Sequence, residues 1–178
     1  CGPPPENVRQ STVNLISVGD SNIEQLQKRL SDPNFKFLTF NEFYSIPIDP
    51  SALYVVVTPD YFEKDLIEFN RKAISDKMNW LLFKPLGLIP WIGPLFENDE
   101  AGCLECLLHR LRGHRIIECY HFKKNNSANN ASLSNSHAPC SLDIACGFLR
   151  LEIGKIDRKC GNNSLKNKVL SIDLKNSE

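Results

Sequence analysis

The sequence has no excess of charge: 21 Lys and Arg stand against 21 Asp and Glu, a formal net charge of +0 at pH 7. Binding through nucleic-acid phosphates needs clustered cations, so a strongly electrostatic nucleic-acid binder is excluded. Long apolar runs are missing too. The longest, 53–57 and 86–89, fall far short of the ~20 residues that span a bilayer. No basic start leads into an apolar stretch and a small-residue cleavage site. These absences point to a soluble chain with no membrane partner. Glycine is scarce, 9 in 178 residues, and the phosphate-cradling pattern G-x-x-x-x-G-K-[ST] does not occur.

Apolar side chains are well supplied. Hydrophobic residues make up 42% of the sequence and Phe occurs 10 times, enough to build a core and to exclude wholesale disorder. The chain opens on Cys1-Gly2-Pro3-Pro4-Pro5 without a starting Met, so residues 1–10 are expected to be a linker or a cut end. The seven cysteines are odd in number and crowd into the C-terminal half. A chain of this size and apolar content does not need a disulfide framework, so the expectation is a reducing, cytoplasmic setting.

Residues 12–18 are β-rich and end on Gly19-Asp20, a turn signal. A helical pattern follows through Ile23, Leu26 and Leu30, broken by Pro33-Asn34. Residues 35–40 and 53–57 read as strands, and the second is apolar throughout, as a strand covered on both faces should be. Asp60 is placed to cap a helix over 61–77, with Phe62, Leu66, Phe69, Ala73 and Ile74 on one stripe. Residues 80–83 read as a fourth strand. This alternation is the grammar of an α/β domain with a mainly parallel sheet of about four strands. Leu15, Ile16, Val55, Val56, Val57, Leu66, Phe69, Leu81 and Leu82 are its expected core.

Beyond the fourth strand the texture changes. Residues 86–96 are apolar but interrupted by Gly87, Pro90, Gly93 and Pro94, which reads as an irregular ribbon rather than a central strand. Residues 101–114 form a helix carrying Cys103 and Cys106. Residues 125–137 are a polar Asn/Ser-rich linker. Residues 138–178 should hold a helix over 141–156 and a loose strand over 165–174, completing the same domain that occupies 11–124.

Three constellations could carry chemistry. Val18-Gly19-Asp20-Ser21-Asn22 sits where a dinucleotide-type fold keeps its phosphate loop, but it offers one glycine and then an acid. An ordinary strand-to-helix turn is the expectation there, without ATP. Cys103-Leu104-Glu105-Cys106 has the spacing of half a tetrahedral Cys₄ zinc site, because two thiolates three residues apart can reach one metal. Cys140, Cys146 and Cys160 form no second close pair, so buried or uncoordinated thiols remain the alternative. Across 103–124 five Lys and Arg oppose two acids. That stretch is either a solvated helix face or a docking surface for an acidic segment.

The run "LYVVVTPD" at 53–60, followed by "LGLIPWIGPLFENDEAGCLECLLHRLRGHR" at 86–115, resembles a known family. It is similar to the ubiquitin-activating-enzyme-like (ThiF-like) domain of the cyclodehydratases that make thiazole- and oxazole-modified microcins. The features that carry the likeness are Trp91-Ile92-Gly93-Pro94, Phe96, Gly102-Cys103, Cys106-Leu107 and Arg110-Leu111-Arg112, and it extends over roughly residues 10–175. The resemblance implies a Rossmann-like fold and a non-catalytic scaffold role in bacteriocin-type ribosomal peptide biosynthesis. In that role the ATP-using ring closure belongs to a YcaO-type partner acting on a ribosomal precursor peptide. It implies a structural zinc for which Cys103 and Cys106 match the first half of the ligand set. The family's second Cys-x-x-Cys has no counterpart before Glu178, so a half-site is expected, and the leader-gripping module would precede residue 1. The alternatives are an ATP-dependent adenylating enzyme of the ubiquitin-activating type and a stand-alone zinc-binding interaction module.

Overall fold

The computed structural model describes residues 11–19, 21, 23–49, 51–87, 89–97, 104–114, 139–158 and 165–174. The elements in chain order are β1 (Ser11–Ser17), α1 (Ile23–Arg29), β2 (Phe35–Phe40), β3 (Leu53–Val57), α2 (Asp65–Ser75), β4 (Asn79–Lys84), β5 (Trp91–Phe96), α3 (Leu104–His114), α4 (Pro139–Asp157) and β6 (Leu170–Ser171). They build a 6-stranded sheet in the order β2-β1-β3-β4-β5-β6. The pairs β1–β2, β1–β3 and β3–β4 are parallel, whereas β4–β5 and β5–β6 are antiparallel. The fold is a mixed α/β, mainly parallel Rossmann-like sheet.

Successive side chains of a strand point to opposite faces, and this alternation sorts the core into two layers. Val13, Leu15, Val55, Val57, Leu81 and Phe83 pack under α1 and α4, against Ile23, Leu26, Leu142, Ala145, Leu149 and Ile153. Ile16, Tyr54, Val56, Trp80 and Leu82 pack under α2 and α3, against Leu66, Phe69, Ala73, Leu104 and Leu108. All nine core residues expected from the sequence are fully buried.

Three sequence expectations change. Residues 91–96 are not an irregular ribbon but a buried inner strand, β5, flanked by β4 and β6. Leu81 pairs with Leu95 and Phe83 with Ile92, so Gly93 and Pro94 together oppose Leu82 alone. That bulge places the proline, which has no N–H to give, where the ladder is already interrupted. The sheet therefore has six strands rather than about four. Helix α2 starts at Asp65 rather than after Asp60, because Asp60 Oδ1 accepts the Phe62 N–H at 3.0 Å and holds 60–63 as a turn. Ile74, one step around the helix from buried Ala73, is 61% exposed and leaves the apolar stripe. Residues 1–10 and the linker at 125–137 lie outside the described residues. Among the described residues, no helix is long and apolar enough to cross a membrane.

Candidate functional site

In an open α/β sheet ligands bind at the carboxyl ends of the strands, where the chain reverses its direction of travel across the sheet. Here that point lies between β1 and β3, since β2 goes to one side of β1 and every later strand to the other. The crevice is formed by the turn after β1, with Gly19 and Ser21, and the turn after β3, with Thr58, Asp60 and Glu63. Both are tied to the sheet: the Val18 N–H reaches the Val57 carbonyl at 2.9 Å, and the Thr58 N–H reaches the Phe83 carbonyl at 3.0 Å.

The described residues nearest Gly19 in the crevice are acidic or neutral, and Lys64, next to Glu63, is exposed. Gly19 has φ +78, a conformation that glycine adopts without strain. A Cβ added there would lie 3.0 Å from Glu63 Cγ and 3.1 Å from Glu63 Oε2, so the glutamate side chain lies directly on the glycine. Partial burial pushes the Glu63 carboxyl above its ordinary range; the Lys64 N–H and ammonium oppose the shift, and the charges of Asp65 and Asp60 add to it. The Ser17 hydroxyl turns inward, donating to the Ser21 carbonyl at 3.2 Å. Thr58 Oγ1 donates to the Asp60 carbonyl at 2.6 Å. Where a nucleotide-binding relative needs bare backbone N–H groups and positive potential, this crevice presents a half-buried carboxylate. A phosphate placed there would meet like charge.

The turn after β3 is anchored by Tyr61. Its side chain is fully buried and its hydroxyl donates to the Gly93 carbonyl in the β5 bulge. Burial raises the phenol pKa well above its usual value, so it stays a neutral donor at physiological pH. Gly93 has φ +98, and a Cβ there would sit 2.6 Å from the Lys168 carbonyl oxygen. The bulge, the buried tyrosine and the 165–168 segment thus form one interlocked unit.

The second candidate is α3. Leu104 and Leu108 are buried, and Leu107 and Leu111 pack at the edge of the same cluster. This amphipathic spacing turns Glu105, Cys106, His109, Arg110 and Arg112 outward. Cys106 is therefore accessible to a metal, while Cys103 lies outside the described residues. Among the described residues, no three or more His, Cys, Asp or Glu side chains group closely enough to hold an ion.

The sequence singled out the Gly19 turn, as an ordinary strand-to-helix turn, and Asp60 only as a helix cap; it did not mark Glu63, Tyr61 or Gly93 as site-forming residues. The acidic spacing Asp60, Glu63, Asp65 beside a single-glycine turn was the available signal. The contact of Tyr61 with Gly93 spans 32 residues and leaves no local trace.

No protein-family model and no curated protein matches this chain. Solved structures do. A heterocyclase in complex with substrate and cofactor aligns with 94% of the chain at 28% identity and TM-score 0.76. The heterocyclase TruD aligns with 96% at 25% identity and TM-score 0.75. The chain spans only 23% and 26% of the length of these two proteins. E. coli MccB with ATP matches 91% of the chain, and 53% of its own length, at 14% identity and TM-score 0.55. At that identity the likeness to MccB is one of fold alone. With the fold matched over nearly the whole chain at 25–28% identity, the protein is similar to the ThiF-like (ubiquitin-activating-enzyme-like) domain of the thiazole/oxazole-modified microcin cyclodehydratases.

Proposed function

We propose that this chain is a non-catalytic scaffold and docking domain of an azoline-forming peptide cyclodehydratase, working in the cytoplasm in bacteriocin-type ribosomal peptide biosynthesis. Similarity to two heterocyclases over more than nine-tenths of the chain supports the assignment to this chemistry. The scaffold part rests on one observation: the Glu63 side chain lies on Gly19 in the crevice where an adenylating relative would seat its phosphates. In this reading a YcaO-type domain or protein performs the ATP-driven ring closure on the precursor peptide, and this chain holds that assembly together. Isothermal titration with ATP tests it. No measurable heat is expected, and micromolar binding would make the chain an adenylating enzyme instead. Adding the chain to a YcaO-type protein and precursor peptide from the same gene neighbourhood should raise the yield of ring closure, read as loss of one water per ring.

Zinc belongs to the same proposal. Cys106, in the first turn of α3, and Cys103, outside the described residues but three positions earlier in sequence, would supply two thiolates to one metal. With two ligands the ion should be held weakly and lost to a mild chelator without unfolding the sheet. One zinc per chain retained after chelator treatment would establish a complete four-ligand site and overturn the half-site reading.

A further inference from the structure

Residues 165–174 run along the outer edge of β5 with little to hold them there. Leu165 is buried, and Val169, Leu170 and Ile172 are half-buried. Leu170 and Ile172 pack on the core layer under α1 and α4, Val169 on the layer under α2 and α3. Asn167 has φ +58, a region that asparagine enters more readily than most residues. It closes a turn in which the Lys168 N–H donates to the Leu165 carbonyl at 3.2 Å. The same carbonyl accepts the Leu95 N–H at 3.0 Å, and the Ile172 N–H donates to the Pro90 carbonyl at 3.0 Å. Lys166 pairs with Glu97 at 2.7 Å. A segment tied so lightly opens locally at far lower cost than the sheet beside it.

This segment backs the grip on Tyr61. Two residues of β5 hold the tyrosine. Its hydroxyl donates to the Gly93 carbonyl, and its ring meets Trp91 edge-on with centroids 5.1 Å apart. Behind them, Trp91 pairs with Ser171, and the Lys168 carbonyl oxygen lies 2.6 Å from where a Gly93 Cβ would stand. On the other side, Tyr61 shares its turn with Glu63, whose side chain covers Gly19. We propose that residues 165–174 are a latch on the crevice. Seated on β5, they fix the bulge, Tyr61 and the Glu63-bearing turn over Gly19. Lifted, they free the bulge, so that Tyr61 loses its fixed acceptor and Glu63 moves off the glycine.

Amide hydrogen exchange on the 178-residue chain tests this. The Phe62 and Glu63 N–H groups, which donate to Asp60 at 3.0 Å and 3.2 Å, report the turn, while Val56 reports global unfolding. Leu165→Ala empties a buried site and should speed exchange at Phe62 and Glu63 by about tenfold or more relative to Val56. Lys166→Glu is milder and should act in the same direction by about threefold, with Glu97→Lys added to it restoring the parent rate. In a Tyr61→Phe background neither strap variant should change exchange in the turn by more than about twofold, because the link is cut. Turn amides that merely follow Val56, or that respond equally in the Tyr61→Phe background, overturn the latch. Neither result bears on the scaffold assignment, which the ATP titration tests separately.

Discussion

Glu63 is the residue whose environment most defines the candidate site. Its carboxyl pKa is raised by burial, so the ionised form is less favourable in the folded protein than in the unfolded chain. Below the ordinary carboxylate range both states are protonated and no penalty exists. As pH rises through the raised folded value the charge appears and stability is lost. Glu63→Gln keeps the side-chain oxygen that accepts the Lys64 N–H but cannot ionise. Its melting temperature should match the parent at low pH and exceed it increasingly toward neutrality. A difference that stays constant across pH would show that burial does not tune this carboxyl. Gly93 has a different constraint. Gly93→Ala would force a Cβ to 2.6 Å from the Lys168 carbonyl at φ +98, for a loss of at least about 2 kcal/mol from strain and overpacking. Denaturant unfolding measures it, and a change within error would mean the β5 bulge and the 165–168 segment are not interlocked.

Helix α4 shows how one element can divide its roles by face. Cys146 lies on the buried side, where desolvation pushes its thiol up to about 11, while Cys140 is exposed near the start of the same helix. The thiolate is the reactive species. Alkylation of the folded protein at neutral pH should therefore modify Cys140 quickly and Cys146 only after unfolding. Peptide mass mapping checks this, and equal rates would place Cys146 on the solvent side of the helix. The buried side is tied to its surroundings by the Arg29–Asp143 ion pair to α1 and by Arg150, which donates to the Ser31 carbonyl at 3.3 Å. Surface pairs of this kind contribute little each; the leucines and Ile153 beneath them hold the helix.

For the molecule as a whole, stability should concentrate in β1, β3 and β4, three of the four inner strands, which pair along nearly their full length on both sides and have helices on both faces. Amide exchange is expected to be slowest at Leu15, Ile16, Val55, Val56, Val57, Leu81 and Leu82. It should be fast at β6, which pairs through only two residues at the sheet edge. Protection of Leu170 equal to that of Val56 would contradict this ranking. The sheet centre is expected to be rigid, with the acidic crevice at one end of its strands, as the proposed scaffold role requires.

Local chemistry in the sequence determined the parallel half of the sheet. Runs such as Leu53-Tyr54-Val55-Val56-Val57 have only one stable outcome when both faces are apolar, and the breaks at Pro33-Asn34 and Gly19-Asp20 set their ends. The tertiary structure decided β5, because Gly93 and Pro94 oppose a strand locally and are accommodated only where Leu82 of β4 faces them across a bulge. It also decided the start of α2. Asp60 can cap a helix or close a turn, and the long-range bond from Tyr61 to Gly93 accompanies the turn. The lone glycine after β1 argued in sequence against a phosphate loop. That a glutamate 44 residues later fills the space above it was set by the packing of the β3–α2 turn on the end of β1.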